Sequence, residues 1–377
     1  MKRIISSLAA LVLCASAIIA APKTAPEQKT AASDSRITYV GRTLVKGNDV
    51  SFDWTATTVR VAFNGDYLAM RVSDTKKNYY NVWIDKDPGF EADMVIATSG
   101  NDSTYVLVEG ASKKAAHRVT IQKRTEGEQG TTTIHEFITR GELLQAEPVK
   151  DRLIEFIGDS YTCGYGSENS ISTDHFTPAT ENCNKSYAAI VSRYFNADWI
   201  EIAHSGMGVE RNYNDKAKFF GWYMPERYLQ TFDEVRESDW KAADHSLKPD
   251  VTVIYLGAND FSTNRQPTEE KFVSQYLKLI KQIKDNYGEE HPIVCLSSKR
   301  YNGLFEYVRK SAETAVREKG FKNVYYYGYF LGVHHDNDDE LGADSHPNYT
   351  AHKKLAHVLI PYISTCTGWN LEDKVIK

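Results

Sequence analysis

Between Ile37 and Ile138 apolar and polar residues alternate with a period of two. The runs fall at Val50–Trp54, Thr58–Phe63, Tyr67–Val72, Tyr79–Ile84, Tyr105–Val108, Arg118–Gln122 and Thr131–Phe137, and Asn64-Gly65-Asp66 marks a turn between the second and third. Period-two segments at regular spacing without a helical pattern predict an antiparallel β-sandwich, here over residues 36–140. Residues 22–35 read as a flexible leader and residues 141–150 as a linker. From residue 151 to 377 the rhythm changes. Apolar runs at Leu153–Ile157, Trp199–Ala203, Val251–Leu256, Ile293–Ser297 and Val324–Tyr329 alternate with helical patterns at Tyr187–Phe195, Thr268–Tyr287, Leu304–Lys319 and Asn348–Ile363. Strands alternating with amphipathic helices predict an α/β domain with a five-stranded parallel sheet, whose functional residues belong at the strands' carboxyl ends.

The chain has 377 residues, of which 41% are apolar and 12% aromatic, enough for two packed cores. Its formal net charge of −5, spread along the sequence, provides no basic stripe for nucleic acid and no polybasic run for anionic membranes. Met1-Lys2-Arg3, an apolar stretch over Ile4–Ile19 and Ala20-Ala21 have the form of a secretory signal peptide over residues 1–21, so the mature protein is expected to be secreted or periplasmic, with no membrane span. Export permits disulfides. Cys163 and Cys183 would close a loop if oxidised, and separate thiols are the alternative.

Candidate chemistry sits where the pattern puts strand ends. Gly158-Asp159-Ser160 follows the first parallel strand, placing a serine hydroxyl at a strand-to-helix turn. His204-Ser205-Gly206-Met207-Gly208 follows the second strand, where a glycine (Gly206, or else Gly208) lets a backbone N–H approach an oxyanion and His204 is expected to pack or cap the loop. Asn259 in Gly257-Ala258-Asn259-Asp260 can donate a side-chain N–H, with Asp260 expected to stabilise the turn. Asp344-Ser345-His346-Pro347 precedes the last helix, and a carboxylate two residues before an imidazole can orient the ring as a general base. These are the parts of an acyl-transfer site: nucleophile, base, orienting acid and oxyanion donors. No metal or organic cofactor is required. Trp222, Tyr223, Trp240 and Phe261 are aromatics near the strand ends that could stack on sugar faces. The acidic run His334–Glu340 lacks an EF-hand pattern and reads as a solvated loop without metal.

The order Ser, Gly, Asn, Asp/His resembles that of the SGNH, or GDSL-like, hydrolases, which implies a flavodoxin-like sheet. The preceding sandwich, together with Ile157–Gly166, Ser205–Val209, Met224–Tyr228 and Leu256–Phe261, narrows the resemblance to carbohydrate esterase family 2 and implies a jelly-roll N-terminal domain packed on the hydrolase domain. The resemblance implies an acetylesterase acting on acetylated polysaccharide or oligosaccharide such as xylan or glucomannan, typically at the 6-oxygen. It makes Ser160 the nucleophile, His346 the base, and the N–H groups of Ser160, Gly206 and Asn259 the oxyanion hole. Some members hold the histidine by a backbone carbonyl in place of an Asp344-type carboxylate, and Ser345 stands where a bulky aromatic is common. The other functions weighed for this fold are hydrolysis of lipid or thioester acyl chains, against which stands the lack of an apolar lid segment, and glycan binding without turnover.

Overall fold

The computed structural model describes residues 25–215, 221–236, 238–241, 245–263, 265–299, 303–329 and 337–376. The signal peptide expected over residues 1–21, and His334–Asp336 of the acidic run, lie outside these residues. Twelve strands build the N-terminal half: β1 (Gln28–Ala31), β2 (Thr38–Val40), β3 (Leu44–Lys46), β4 (Asp49–Phe52), β5 (Thr58–Asn64), β6 (Tyr67–Asp74), β7 (Tyr79–Ile84), β8 (Met94–Ala97), β9 (Ser103–Glu109), β10 (Ala116–Lys123), β11 (Thr132–Thr139) and β12 (Leu143–Leu144). They form two antiparallel sheets, one ordered β3-β4-β11-β6-β9 with β1 beside β11, the other β12-β5-β10-β7-β8 with β2 beside β5. Alternate residues of both, among them Phe52, Val61, Phe63, Met70, Val72, Val82, Ile121 and Phe137, meet in one buried core, as two sheets packed face to face require.

The expected leader and linker need correction. Gln28–Ala31 is an edge strand on β11, and Leu143–Leu144 is one on β5. β1 is held by backbone hydrogen bonds and by Lys29 against Glu136, with little apolar burial, so the hydrophobic pattern carries no trace of it.

The C-terminal half has strands β13 (Leu153–Gly158), β14 (Asp198–Ala203), β15 (Val251–Tyr255), β16 (Ile293–Ser298) and β17 (Val324–Tyr329), all parallel, in the order β14-β13-β15-β16-β17. This is the flavodoxin-like order, with its switch point beside β13. Helices α1 (Ser160–Cys163), α2 (Tyr187–Tyr194), α3 (Met224–Arg227), α4 (Glu269–Tyr287), α5 (Leu304–Arg317) and α6 (Tyr349–Thr367) follow the strands. α2 and α6 cover one face of the sheet, while α4 and α5 cover the other. No helix among the described residues is long and apolar enough to cross a membrane.

The sandwich is fastened to the hydrolase half by buried groups. Trp54 and Ala56 enter the two hydrolase cores. Arg42 is fully buried, donates to the Tyr228 and Gln230 carbonyls, lies 3.7 Å from Glu155 of β13, and stacks 4.0 Å from the centre of the Trp240 ring. The loop after β10 reaches the carboxyl end of the parallel sheet, where Arg124 holds the Glu181 and Ala179 carbonyls.

Candidate active site

β13 runs into a turn in which Asp159, with extended backbone, caps α1 by accepting the Tyr161 N–H at 3.2 Å. A Cβ on Gly158 would stand 1.9 Å from Thr162 Oγ1, so only glycine allows the chain to turn this tightly. Ser160 is therefore the first residue of α1. Its side chain meets the C-terminal loop, where His346 Nε2 lies 3.0 Å from Ser160 Oγ and His346 Nδ1 lies 3.2 Å from the Asp344 carbonyl oxygen. A carbonyl only accepts, so Nδ1 carries the proton and Nε2 presents its lone pair to the serine hydroxyl. The ring is seated edge-on to Tyr161 and against Tyr165, at centroid distances of 5.6 and 4.2 Å. Burial lowers the His346 pKa to about 4, against the opposing pull of the Asp344 carbonyl and carboxylate. The imidazole is neutral at pH 7.

The orienting acid expected at Asp344 is corrected in its detail. Asp344 and Ser345 have left-handed backbone, with φ of 50° and 59°, which turns the Asp344 side chain away from the ring and its carbonyl towards it. The carboxylate instead accepts from Tyr165 Oη at 3.0 Å, the Phe176 N–H at 2.9 Å and His175 Nδ1 at 3.0 Å. It clamps the loop at residues 165–176 onto the histidine loop. The same loop places the Tyr165 and Phe176 rings face to face, 3.9 Å apart at their centroids.

Gly206 follows β14 with a φ of 79°, a left-handed conformation that favours glycine. Among the described residues the N–H groups of Ser160 and Gly206 have no hydrogen-bond partner. The Gly208 N–H is taken by Asn212 Oδ1 at 3.0 Å, so of the two glycines Gly206 has the available donor. Asp260 accepts the N–H groups of Val209, Glu210 and Arg211 at 2.8–2.9 Å and fixes this loop, as its turn-stabilising role requires. Asn259 Nδ2 is placed between the two segments. It donates to Asp159 Oδ2 at 3.1 Å and to the Met207 carbonyl at 2.9 Å, so both of its hydrogens are engaged.

The sequence-predicted aromatics separate into two groups. Trp222 is buried against Arg227 and Arg236, Trp240 against Arg42, and Phe261 against Phe272 and Tyr307, so none of the three offers a free face to a sugar. Their apolar surface goes into packing around buried guanidinium groups and into the helix layer. Tyr223 is half-buried at the start of α3. Tyr213, absent from the sequence-based candidates, is 49% exposed and donates its N–H to the Gly206 carbonyl. Its place in a loop five residues after Gly208 is the only trace in the sequence.

His204 is fully buried and its Nδ1 lies 2.6 Å from Asp233, a packing role. Cys163 and Cys183 are separate buried thiols facing Glu126 and the Lys123 carbonyl respectively, the alternative of separate thiols and not the bridge. Glu126, Cys163 and Glu181 converge, as do His204, Asp233 and Glu234. Buried Lys123 donates to the Glu126 carbonyl beside the first group, and the Arg227 guanidinium pairs with Asp233 in the second.

Residues 39–148 match the carbohydrate esterase 2 N-terminal family, and residues 156–354 match the GDSL-like lipase/acylhydrolase family. The chain is 32% identical over 322 residues to the cellulase/esterase CelE of Acetivibrio thermocellus, a match covering 84% of this chain but 38% of that protein. It is 28% identical to an acetylxylan esterase/glucomannan deacetylase of Cellvibrio japonicus, covering 84% of this chain and 86% of the relative. A family two carbohydrate esterase from Clostridium thermocellum, solved in complex with cellohexaose, superposes with a TM-score of 0.78 at 30% identity, covering 89% of this chain and 100% of that one. With both halves matched in order, and with the sandwich packed on a flavodoxin-like domain as in these relatives, the chain belongs to carbohydrate esterase family 2, a family of carboxylic ester hydrolases within the GDSL-like group.

Proposed function

We propose that the chain is an exported serine esterase that removes acetyl groups from plant polysaccharides such as xylan and glucomannan, at the sugar 6-oxygen. The observation that carries this reading is the Ser160 Oγ to His346 Nε2 distance of 3.0 Å, together with the N–H groups of Ser160 and Gly206, which have no partner among the described residues. Ser160 attacks the acetyl carbonyl carbon as its proton passes to His346 Nε2, and the Asp344 carbonyl accepts from Nδ1–H throughout. The negative charge forms against the N–H groups of Ser160 and Gly206, with Asn259 contributing by sharing an Nδ2 hydrogen. Collapse expels the sugar alcohol, which takes its proton from Nε2. Water, deprotonated by His346, then releases acetate from Ser160.

The glycan substrate is supported by the relatives' names and by Tyr213, an exposed aromatic bonded through its N–H to the Gly206 carbonyl. Export is supported by the charged, apolar and small-residue order of residues 1–21. Acetate release from acetylated glucomannan, acetylated xylan and 6-O-acetylglucose, with Ser160→Ala as control, tests the proposal. Release from none of them rules out this substrate class.

A further inference from the structure

The loop after β10 belongs to the sandwich, yet it places a carboxylate against the oxyanion segment. Glu126 is 1% exposed, and its Oε2 accepts the Ser205 N–H at 2.6 Å. The same oxygen lies 3.7 Å from the thiol of Cys163, the last residue of the helix that Ser160 begins. Glu126 is itself pinned. Its N–H donates to Glu181 Oε2 at 3.1 Å, and its carbonyl accepts from buried Lys123 Nζ at 2.8 Å. Burial beside Glu126 pushes the Glu181 carboxyl well above its ordinary pKa. On the other side of the loop, Asp53 of the sandwich accepts the Asp233 N–H at 2.8 Å, and Asp233 holds His204. Ser205 is thus gripped from the neighbouring domain directly, and His204 through Asp233.

We infer that Glu126 is a positioning residue for the oxyanion site. By fixing the Ser205 N–H, it anchors the His204–Ser205 peptide, the unit just before the Ser205–Gly206 peptide, and so restricts the rotation of that next plane and aims the Gly206 N–H at the carbonyl oxygen attacked by Ser160. Gly206 cannot hold this direction unaided, because glycine has the widest backbone freedom of any residue. The Tyr213 N–H, bonded to the Gly206 carbonyl at 2.7 Å, secures the far side of the turn. The sandwich therefore completes the catalytic site through a backbone contact. This inference rests on the proposed serine mechanism.

The test compares Glu126→Met, which keeps the volume and removes the acceptor, with Glu126→Gln, whose Oε1 can still take the Ser205 N–H. On 4-nitrophenyl acetate, Glu126→Met is expected to lose kcat about 10- to 100-fold, with KM within about three-fold of the parent. Glu126→Gln is expected to stay within about five-fold in kcat. Methylboronic acid, whose adduct with Ser160 carries a tetrahedral oxyanion, is expected to bind more weakly to Glu126→Met by the factor lost in kcat/KM. Parent-like kcat and boronate binding in a folded Glu126→Met overturn the inference, and so does equal impairment of the two variants. If Glu126→Met does not fold, a hundred-fold loss in folded Glu126→Gln overturns it and retention within five-fold supports it. Ser160→Ala run in parallel separates the two levels: activity retained there refutes the serine mechanism, whereas its loss alongside an unaffected Glu126→Met refutes only the positioning role.

Discussion

Asp344→Asn separates a carboxylate triad from a histidine held by a backbone carbonyl. In a triad the carboxylate bonds the imidazole directly, and the asparagine replacement costs about 10⁴-fold in kcat. Here the bond to Nδ1 comes from the Asp344 carbonyl, which the substitution leaves in place. Asparagine also tolerates the left-handed backbone at this position, where φ is 50°. What is lost is a negative charge on the residue two before His346, for which a separation of roughly 7 Å, the reach of two residues, sets the scale. With an effective dielectric between about 20 and 80, that charge contributes about 0.6–2.4 kcal/mol to the imidazolium formed in the transition state, or roughly 3- to 50-fold in rate. The side chain's contacts to Tyr165, Phe176 and His175 lose strength, which adds disorder in the loop at residues 165–176 rather than a wrong tautomer. The assay is kcat on 4-nitrophenyl acetate, with thermal unfolding as the check on folding. A loss of 10³-fold or more in a variant that melts within a few degrees of the parent would refute this reasoning.

The depressed pKa of His346 predicts that kcat/KM stays flat from pH 7 down to about pH 5 and falls as the ring protonates near 4; an acid limb centred at 6.5 or above contradicts it. The same shift gives a stability contribution fully present above the unfolded pKa of about 6.5 and lost as the pH falls to about 4, since the unfolded imidazole takes up its proton first. Gly206→Ala has room for its Cβ, with Tyr213 Cβ at 3.6 Å, but not for its φ of 79°; it should fold and lose about 10²-fold in kcat. Gly208→Ala would put its Cβ 2.0 Å from the Arg211 carbonyl oxygen and should instead lower the melting temperature, so a stable, fully active Gly208→Ala contradicts the packing described. Arg42→Met leaves Glu155 buried without its cation and should cost about 3–5 kcal/mol, read as a lower midpoint for a single transition of both halves; an unchanged midpoint shows that the pair is not a domain fastener.

Much of this architecture is legible in the sequence because burial enforces period. β5, β6, β7 and β10 alternate, β13 to β16 are buried along their whole length, and α4 carries Phe272, Tyr276, Ile280 and Ile283 on one face. Ser160, Gly206, Asn259 and His346 are legible because strand ends and glycine turns are local signals. What the sequence hides depends on backbone direction or on the partner domain. Two consecutive left-handed residues turn Asp344 from the expected orienting carboxylate into a loop clamp. Trp222 and Trp240 look like sugar platforms until Arg227, five residues after Trp222, and Arg42, from the other domain, cover them. Glu126 reads as an ordinary turn residue after β10, since nothing local reveals that Ser205, 79 positions later, meets it.

The central claim is that Ser160, activated by neutral His346, carries the acyl group. Acid quench of the enzyme during steady-state turnover of 4-nitrophenyl acetate, followed by peptide mapping, measures this directly. Acetate is expected on the peptide bearing Ser160 and nowhere else in stoichiometric amount, with none on Ser160→Ala. Acetylation of a different residue, or undiminished turnover by Ser160→Ala, would contradict the account.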